Sequence, residues 1–347
     1  MTLGPLMVDV AGLELTDEDR RVLAHPLVGA VILFTRNFES YPQLEALVRE
    51  IRAVRSPSLL VTVDHEGGRV QRFRQEFTVL PSQRAIGHAY DIDPEAGRHL
   101  AWACGWLLAA ELRAAGIDMS FAPCIDLDYG VSEVIGDRAY HRDPEVVARL
   151  GVACMQGMRA AGMAATAKHF PGHGAVVADS HKALPVDRRP LTELADELLP
   201  YRRMIANGLS SVMVAHVLFP EVDEAPAGFS ARWIQQELRG ELGFTGAVFS
   251  DDLSMGGAAY AGTVPERARR ALGAGCDLVP ICNDRAAVLA ALAELEGAAD
   301  PLSQVRLVRL HGRPMPPRAE LLVSERWNEY RRAIDHCRDA PSLQLNA

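Results

Sequence analysis

Eight short apolar segments alternate with longer stretches of helical spacing, and this alternation constrains the fold more than any other feature of the 347-residue chain. Buried strands that alternate with helices predict a parallel sheet, because each helix returns the chain to the start of the next strand. Eight repeats predict a single closed (β/α)8 barrel of the TIM type, in the α/β class. An open doubly wound sheet is the competitor, but no GxGxxG motif follows the first strand. The predicted strands are 6–10, 30–34, 59–63, 119–122, 164–167, 211–215, 247–249 and 278–281.

The helical pattern is clearest in three of the connecting segments, at 95–115, 144–161 and 191–207. We predict that residues 1–300 form the barrel and that residues 301–347 form a C-terminal helical extension packed on it. This extension has no strand pattern, is expected to contain a helix at 325–337, and leaves no room for a second α/β domain. The tail, 340–347, is expected to be mobile.

Polar side chains follow the predicted strands rather than the predicted helices. Asp64 follows the third strand, Lys168 the fifth and Asp251 the seventh. In a barrel the carboxyl ends of the strands converge on one mouth, so these side chains are expected to meet there. Acids, bases and arginines delivered to one rim by separate segments predict a catalytic site. Further polar residues with this placement are Asp126, Asp128, Asp137 and His216.

The segment KHFPGHG (168–174), followed by DSH (179–181), contains two glycines and a proline among ionisable side chains. This density of glycine and proline predicts a shaped loop rather than a helix or a central strand. Such a loop after a buried strand is where α/β proteins place their chemistry. The alternative is a helix-capping loop whose histidines satisfy backbone groups, and His173 in particular is compatible with a bracing role.

Asp251 and Asp252 come directly after the apolar segment 247–249 and Ser250. A strand end would hold Asp251 rigidly at the mouth, which suits a nucleophile or a base. Asp252 is expected to point elsewhere, because successive strand residues face opposite sides. The alternative for Asp251 is the N-cap of the next helix.

Asp179 and His181 stand two positions apart, so in an extended loop both side chains would lie on one face. Contact with the carboxylate would orient the imidazole and favour its protonated form. A histidine arranged in this way can give a proton to a leaving group and later take one from water. The alternative is an exposed loop histidine without a role.

Five more side chains carry the donors and acceptors that a hydroxyl-rich ligand or a carboxylate requires. For the two arginines among them the alternative is an ion pair with Glu66 or Asp137. The five are Asp64, Arg72, Arg138, Lys168 and His169.

Several classes of function are disfavoured by composition. A net charge of −9 and the lack of an extended basic run argue against nucleic acid as a partner. No run of about eighteen apolar residues predicts a membrane span, and the N-terminus lacks the basic and apolar parts of a signal peptide. Six cysteines without CxxC spacing are typical of reduced structural thiols, so a cytoplasmic location is expected, with no cofactor and no metal. The absence of a long apolar surface stripe favours a monomer.

The motifs together resemble the bacterial β-N-acetylglucosaminidases of glycoside hydrolase family 3, of the cytoplasmic, peptidoglycan-recycling type. The resemblance extends from the third strand to the seventh. Its segments are VDHEGGRVQRF (63–73), FAPCIDLD (121–128), VIGDRAYHRDP (134–144), KHFPGHG (168–174), DSHKALP (179–185) and FSDDLSM (249–255).

The resemblance implies a retaining exo-glycosidase on a single barrel, acting on muropeptide fragments in cell-wall recycling. It places the nucleophile at Asp251 and the general acid/base at His181, partnered by Asp179. The sugar-binding positions fall on Asp64, Arg72, Arg138, Lys168 and His169. Since the acid is a loop histidine, the carboxylate-separation rule for glycosidases does not apply.

The chain departs from the family pattern at two places. The family usually has Asp-Thr after KHFPGHG, where this chain has Ala175 and Val176, and it commonly has glutamate after FSDDLSM, where Gly256 stands. Neither change removes a residue to which chemistry is assigned.

Four alternatives to this hydrolase remain open on the sequence. One is a non-catalytic sugar-binding protein, whose mark would be the loss of the Asp251/His181 pair, and both residues are present. A phosphorylase would send the same intermediate to phosphate, and a β-glucosidase would act on another sugar. A metal-dependent barrel hydrolase would use His169, His173, His181 and Asp179 as zinc ligands, although the HxH pair expected at the end of the first strand is missing.

Overall fold

Eight parallel strands and one antiparallel hairpin make up the sheet structure of the computed structural model, which describes residues 2–295 and 300–339. The barrel strands are buried over nearly all of their length, as expected where helices cover a parallel sheet. The strands are β1 (Leu6–Asp9), β2 (Val28–Leu33), β3 (Leu60–Val63), β4 (His65–Gly67), β5 (Val70–Gln71), β6 (Met119–Ser120), β7 (Thr166–Phe170), β8 (Ser211–Val214), β9 (Ala247–Ser250) and β10 (Val279–Ile281).

The pairing of the strands closes the barrel. One run of parallel strands has the order β10-β1-β2-β3-β6 and a second run has the order β7-β8-β9. Parallel bridges from Met119 to Ala164 and from Phe249 to Leu278 join the two runs at both ends. The hairpin β4–β5 lies outside this order. The predicted α/β class and closed eight-stranded barrel are therefore confirmed.

Helices follow the strands around the barrel and start at well-defined caps. Asp93 accepts hydrogen bonds from the backbone N–H groups of Glu95 and Ala96, and Asp143 accepts one from Glu145, in each case just before a proline that opens the helix. None of the helices within the described residues is long and apolar enough to cross a membrane. The helices are α1 (Asp17–Leu23), α2 (Tyr41–Ala53), α3 (Gln83–Ile92), α4 (Pro94–Ala114), α5 (Pro144–Ala160), α6 (Ala195–Ala206), a π-type helix (Arg232–Glu241), α7 (Val264–Ala274), α8 (Arg285–Glu294), α9 (Pro301–Val308), α10 (Arg318–Val323) and α11 (Glu325–Asp339).

Strand β7 differs from its prediction in a way that bears on the site. It extends to Phe170, so Lys168 and His169 lie in a central strand and not in the predicted loop. The backbone carbonyl of Lys168 accepts from Ile125 N–H on one side, and that of Phe170 accepts from Ala215 N–H on the other. The loop prediction was wrong for these residues because the strand continues through them: Lys168 bridges to Cys124 on one side, and Phe170 pairs with Val214 on the other after an irregularity in register.

The three C-terminal helices lie against the outside of the barrel. Tyr330 of α11 packs edge-on against Trp102 and Trp106 of α4, with ring centroids 5.1 and 5.3 Å away. Trp327 donates a hydrogen bond from Nε1 to the buried Glu111 carboxylate at 2.8 Å. The predicted helix at 325–337 is present in α11. The division into residues 1–300 and 301–347 stays a prediction, and 340–347 lies outside the described residues.

Candidate active site

A cavity of about 630 Å³ opens at the carboxyl-terminal end of the barrel strands. This volume is within the range of pockets for small ligands. Every residue to which the sequence assigned a catalytic or sugar-binding role lines this cavity, although five separate segments of the chain supply them. The residues are Asp64, Arg72, Arg138, Lys168, His169, Asp179, His181 and Asp251. The other polar residues expected at the mouth, Asp126, Asp128, Asp137 and His216, are not among its lining residues.

The floor of the cavity is a buried ion-pair network centred on Glu66. The Glu66 carboxylate is fully buried and receives Lys168 Nζ at 2.6 Å, and the Arg138 guanidinium binds both of its oxygens, at 2.8 and 3.0 Å. Burial by itself would raise the pKa of this carboxyl, but Arg138 and Lys168 outweigh it and hold the pKa below its usual range. The ion pair considered above for Arg138 is thus present, and it lies in the cavity wall.

Asp64 extends this network toward the opening. Its carboxylate accepts a hydrogen bond from Lys168 Nζ at 2.9 Å and lies 3.5 Å from Arg72 Nη2. Burial opposes ionisation of Asp64, yet Lys168 and Arg72 lower the pKa of its carboxyl. Burial would lower the pKa of the Lys168 ammonium, but the carboxylates of Asp64 and Glu66 outweigh this and raise it. Asp64, Glu66 and Lys168 therefore carry charge at neutral pH.

A network of this kind is hard to explain as packing. Removing charges from water costs several kcal/mol per ion, and a well-packed apolar core of the same volume is often as stable or more so. The side chains of Glu66, Lys168 and Arg138 are nevertheless less than about one tenth exposed, and all three line the cavity. Fixed charges with donors directed into a pocket are suited to orienting a polar ligand.

His169 is held by Asp126 on one side and Arg138 on the other. Its Nδ1 lies 2.7 Å from Asp126 Oδ2, and its Nε2 lies 3.3 Å from Arg138 Nη2. Because the Asp126 carboxylate only accepts, Nδ1 carries a proton and donates to it. Asp126 also accepts hydrogen bonds from the backbone N–H groups of His169 and His173. This single carboxylate therefore sets both the tautomer of His169 and the start of the following loop.

Asp251 and Asp252 follow directly after β9. The backbone N–H of Asp251 donates to Val214 O at 3.0 Å, which fixes the residue against the neighbouring strand. Burial would raise the pKa of the Asp251 carboxyl, but the imidazoles of His169 and His216 lower it, and the net shift is downward. Asp251 is accordingly a carboxylate in the cavity wall at neutral pH.

The adjacent Asp252 has the opposite electrostatic character. Its carboxylate turns to the backbone and accepts from the N–H groups of Ser254 and Cys282 at 2.9 and 3.1 Å. Burial raises the pKa of Asp252 to about 7 in spite of these hydrogen bonds. The two neighbouring carboxyls thus have opposite pKa shifts. Asp251 is the one suited to act as a nucleophile, because its lowered pKa keeps it ionised.

Asp179 and His181 form a pair at the rim of the cavity. His181 Nδ1 lies 2.8 Å from Asp179 Oδ1, which also accepts from the His181 backbone N–H. The predicted contact is present, but the loop is not extended as assumed. Residues 180–183 form a turn, in which the N–H groups of Lys182 and Ala183 donate to Asp179 O. With Nδ1–H directed at Asp179, Nε2 of the exposed ring is the nitrogen available for proton exchange.

His173 braces this loop, as the alternative interpretation held. The residue is buried, and its Nε2 lies 2.9 Å from the hydroxyl of Ser180, the residue between Asp179 and His181. The His173 backbone N–H donates to Asp126 at 2.8 Å. Asp126 and Ser180 are thereby linked through one histidine.

The zinc set considered above is not brought together. Within residues 2–295 and 300–339, a different group of potential metal ligands does lie close together. It consists of Cys124, Asp126 and His169, whose ligand atoms are within 4.8 Å of one another. Burial and the neighbouring Asp126 raise the pKa of the Cys124 thiol well above its usual value, so the thiolate that a metal requires is disfavoured. The Asp126–His169 hydrogen bond further occupies two of the three ligands.

Two residues of the site, Glu66 and Asp126, were given no role in binding or catalysis by the sequence analysis, which considered Glu66 as an ion-pair partner of an arginine and placed Asp126 at the mouth. Both follow predicted strands, which was the signal available: Glu66 stands two residues after Asp64, and Asp126 follows the fourth strand. Their roles depend on which distant cations and histidines they meet, and that information is in the packing of the barrel.

The chain is similar to known proteins over its whole length. Residues 5–307 match the profile of the glycosyl hydrolase family 3 N-terminal domain. A protein of Thioalkalivibrio sulfidiphilus named beta-hexosaminidase is 54% identical over 346 residues, which is 100% of each chain, and one of the same name from Nitrosospira multiformis is 55% identical over 317 residues, 91% of each. The solved structure of NagZ from Neisseria gonorrhoeae in complex with N-trifluoroacetyl-D-glucosamine superposes with a TM-score of 0.93 at 42% identity, covering 98% of this chain and 99% of that one.

Proposed function

The chain belongs to glycosyl hydrolase family 3 and is a β-hexosaminidase of that family, and from this premise we propose that it is a retaining exo-glycosidase. It would release terminal, non-reducing, β-linked N-acetylglucosamine. The proposal rests chiefly on one observation: an ionised Asp251 in the wall of a charged pocket whose rim carries the His181–Asp179 pair.

The buried end of the pocket favours attack at the end of a sugar chain. Glu66, Lys168 and Arg138 line the cavity with buried, mutually paired side chains, whereas the His181–Asp179 pair at its other side is exposed to solvent. Asp64, Lys168 and His169 present acceptors and donors to the hydroxyl groups of one sugar ring, and Arg72 stands nearer the rim. A pocket of this form holds a single terminal residue and leaves the rest of the substrate outside.

In the first step the Asp251 carboxylate attacks the anomeric carbon. A bond forms between Asp251 Oδ and that carbon as the bond to the leaving oxygen breaks. His181 gives the proton on Nε2 to the leaving oxygen, and Asp179 stabilises the charged imidazole before the transfer. The products are the free aglycone and a glycosyl–Asp251 ester.

In the second step water resolves the ester. His181, now neutral, takes a proton from water through Nε2 while the water oxygen attacks the anomeric carbon. The bond to Asp251 breaks and the carboxylate is regenerated. Two inversions at one carbon give net retention of configuration.

The natural substrate we propose is N-acetylglucosaminyl-1,6-anhydro-N-acetylmuramic acid and its peptide-bearing forms. This substrate follows from the resemblance to the peptidoglycan-recycling type and places the enzyme in the cytoplasm, in cell-wall biogenesis and thereby in cell shape and division. The protein would act as a monomer on a small sugar, without nucleic acid or membrane as partners.

Sugar preference tests the proposed activity. We expect kcat/KM for a nitrophenyl β-N-acetylglucosaminide to exceed that for the matching β-glucoside by about 100-fold or more, since a site built for one polar group discriminates strongly against its absence. Initial rates of nitrophenol release with both substrates provide the measurement.

Equal or greater activity on the glucoside would contradict the proposed sugar and point to a β-glucosidase of the same fold. Product analysis with and without inorganic phosphate belongs to the same experiment. Free N-acetylglucosamine under both conditions is the expected product, and a sugar phosphate would identify a phosphorylase instead.

A further inference from the structure

The loop that carries His181 is attached to the segment that follows the proposed nucleophile. The backbone N–H of Gly256 donates to His181 O at 3.0 Å, and that of Gly257 donates to Ser180 O at 2.8 Å. These two glycines open a short 3-10 helix, Gly256–Ala261, whose first N–H groups have no partner inside the helix. The carbonyls of the loop satisfy them.

The attachment leaves no room for a side chain at position 256. A Cβ built on Gly256 would lie 2.5 Å from Lys182 O and 2.7 Å from Lys182 C, both backbone atoms. Gly256 does not have a positive φ, so the close approach of the loop is what requires glycine. Any larger residue would push the backbone at His181 and Lys182 away.

A second attachment, through Ser180, ties the same loop to the segment after β7. The Ser180 hydroxyl is bound to His173, which is tied through its backbone to Asp126. The turn at 180–183 therefore has its hydroxyl anchored to the segment after β7 and its carbonyls anchored to the segment after β9. The backbone at Ser180 and His181 is held between these two points.

We propose that Gly256 is a positioning residue for the general acid/base, acting through the main chain of His181. Asp251 and Gly256 stand five residues apart on one segment, so the same stretch of chain that presents the nucleophile also sets where the acid stands relative to it. This inference rests on the proposed acid/base role of His181. It concerns the position at which this chain has glycine where the family it resembles commonly has glutamate.

The test uses the dependence of rate on the leaving group. We expect Gly256→Ala to lower kcat/KM about tenfold or more for methyl β-N-acetylglucosaminide, whose leaving group needs a proton, and to change it less than about threefold for the dinitrophenyl glycoside, which does not. Gly256→Glu should enlarge the loss on the methyl substrate. Gly273→Ala in α7 is the matched control, since a Cβ there meets nothing within 4 Å, and it should leave both rates unchanged.

A double-mutant cycle identifies the path of the effect. If Gly256 acts through His181, Gly256→Ala adds no loss on the methyl substrate when His181 is already alanine. Ser180→Ala, which releases the other anchor without adding bulk, should give the same leaving-group signature. Equal losses of Gly256→Ala on both substrates, a further loss in the His181→Ala background, or no effect at all would each overturn the inference. A His181→Ala single variant without leaving-group dependence would overturn the acid/base role itself, and the two failures are thus distinguishable.

Discussion

Replacing Asp251 by alanine is expected to lower kcat by about 10,000-fold or more while the folded protein still binds N-acetylglucosamine. The carboxylate supplies the bond that replaces the leaving group. The neighbouring Asp252 is not suited to replace it, because burial raises the pKa of Asp252 to about 7 and its carboxylate is bound to backbone N–H groups. Steady-state rates on the dinitrophenyl glycoside give kcat, and titration calorimetry with N-acetylglucosamine gives Kd.

Asp251→Asn keeps the shape of the side chain and is the companion variant. It should lose activity to a similar extent, because the amide retains the hydrogen bond from Asp252 N–H but is not a nucleophile. A Kd within about threefold of wild type in both variants would show that the pocket is intact. Retention of more than about one hundredth of wild-type kcat by Asp251→Ala would rule Asp251 out as the nucleophile.

Replacing His181 by alanine is expected to give losses that depend on the leaving group. For methyl β-N-acetylglucosaminide, kcat/KM should fall about 1,000-fold, within the range that general acid catalysis contributes. For the dinitrophenyl glycoside it should fall less than about tenfold, because that leaving group departs without a proton. Rates on a series of glycosides with leaving groups of increasing pKa provide the measurement.

His181 is suited to this test because its side chain is 63% exposed and its removal disturbs little packing. His88→Ala, at an exposed position on α3, is the matched control and should leave both rates at wild-type values. Asp179→Asn should show the same trend as His181→Ala at smaller size, since the ring loses the partner that stabilises its charged form. Equal losses on all leaving groups would argue against an acid role.

The fold was predictable because its determinants are periodic and local. Apart from the unpredicted hairpin β4–β5, the strands are short, mainly apolar segments bounded by turns, and β8 and β9 begin at the predicted residues. The exception is β7, where Lys168 and His169 interrupt the apolar pattern. Their place in the strand depends on the bridge from Lys168 to Cys124 and on the pairing of Phe170 with Val214, which a local pattern does not contain.

The position of the site was easier to predict from the sequence than the contacts between its residues. That polar residues after strands converge at one mouth follows from barrel geometry. That Glu66 receives both Lys168 and Arg138 depends on residues about 100 and 72 positions away in the chain. Asp126 was similarly missed as the partner of His169, because the pairing depends on the side-chain directions of two neighbouring strands.

The turn at 180–183 was also beyond the reach of the sequence. The i, i+2 spacing correctly suggested contact between Asp179 and His181, but the contact arises in a turn capped by Asp179 rather than in an extended segment. In the sequence, Gly256 stands out only as a departure from the family pattern. Its close approach to Lys182 O is a tertiary contact across 74 positions that the sequence does not display.

Trapping the covalent intermediate tests the central claim most directly. In His181→Ala, the dinitrophenyl glycoside should still form the glycosyl–enzyme, while its hydrolysis is slowed by the loss of the base. Intact-protein mass spectrometry should then show a gain of one N-acetylglucosaminyl group, and peptide mapping should locate it on Asp251. A burst of dinitrophenol with an adduct at that residue is the result we predict, whereas turnover without any adduct, or an adduct on another residue, would contradict a glycosyl–Asp251 mechanism.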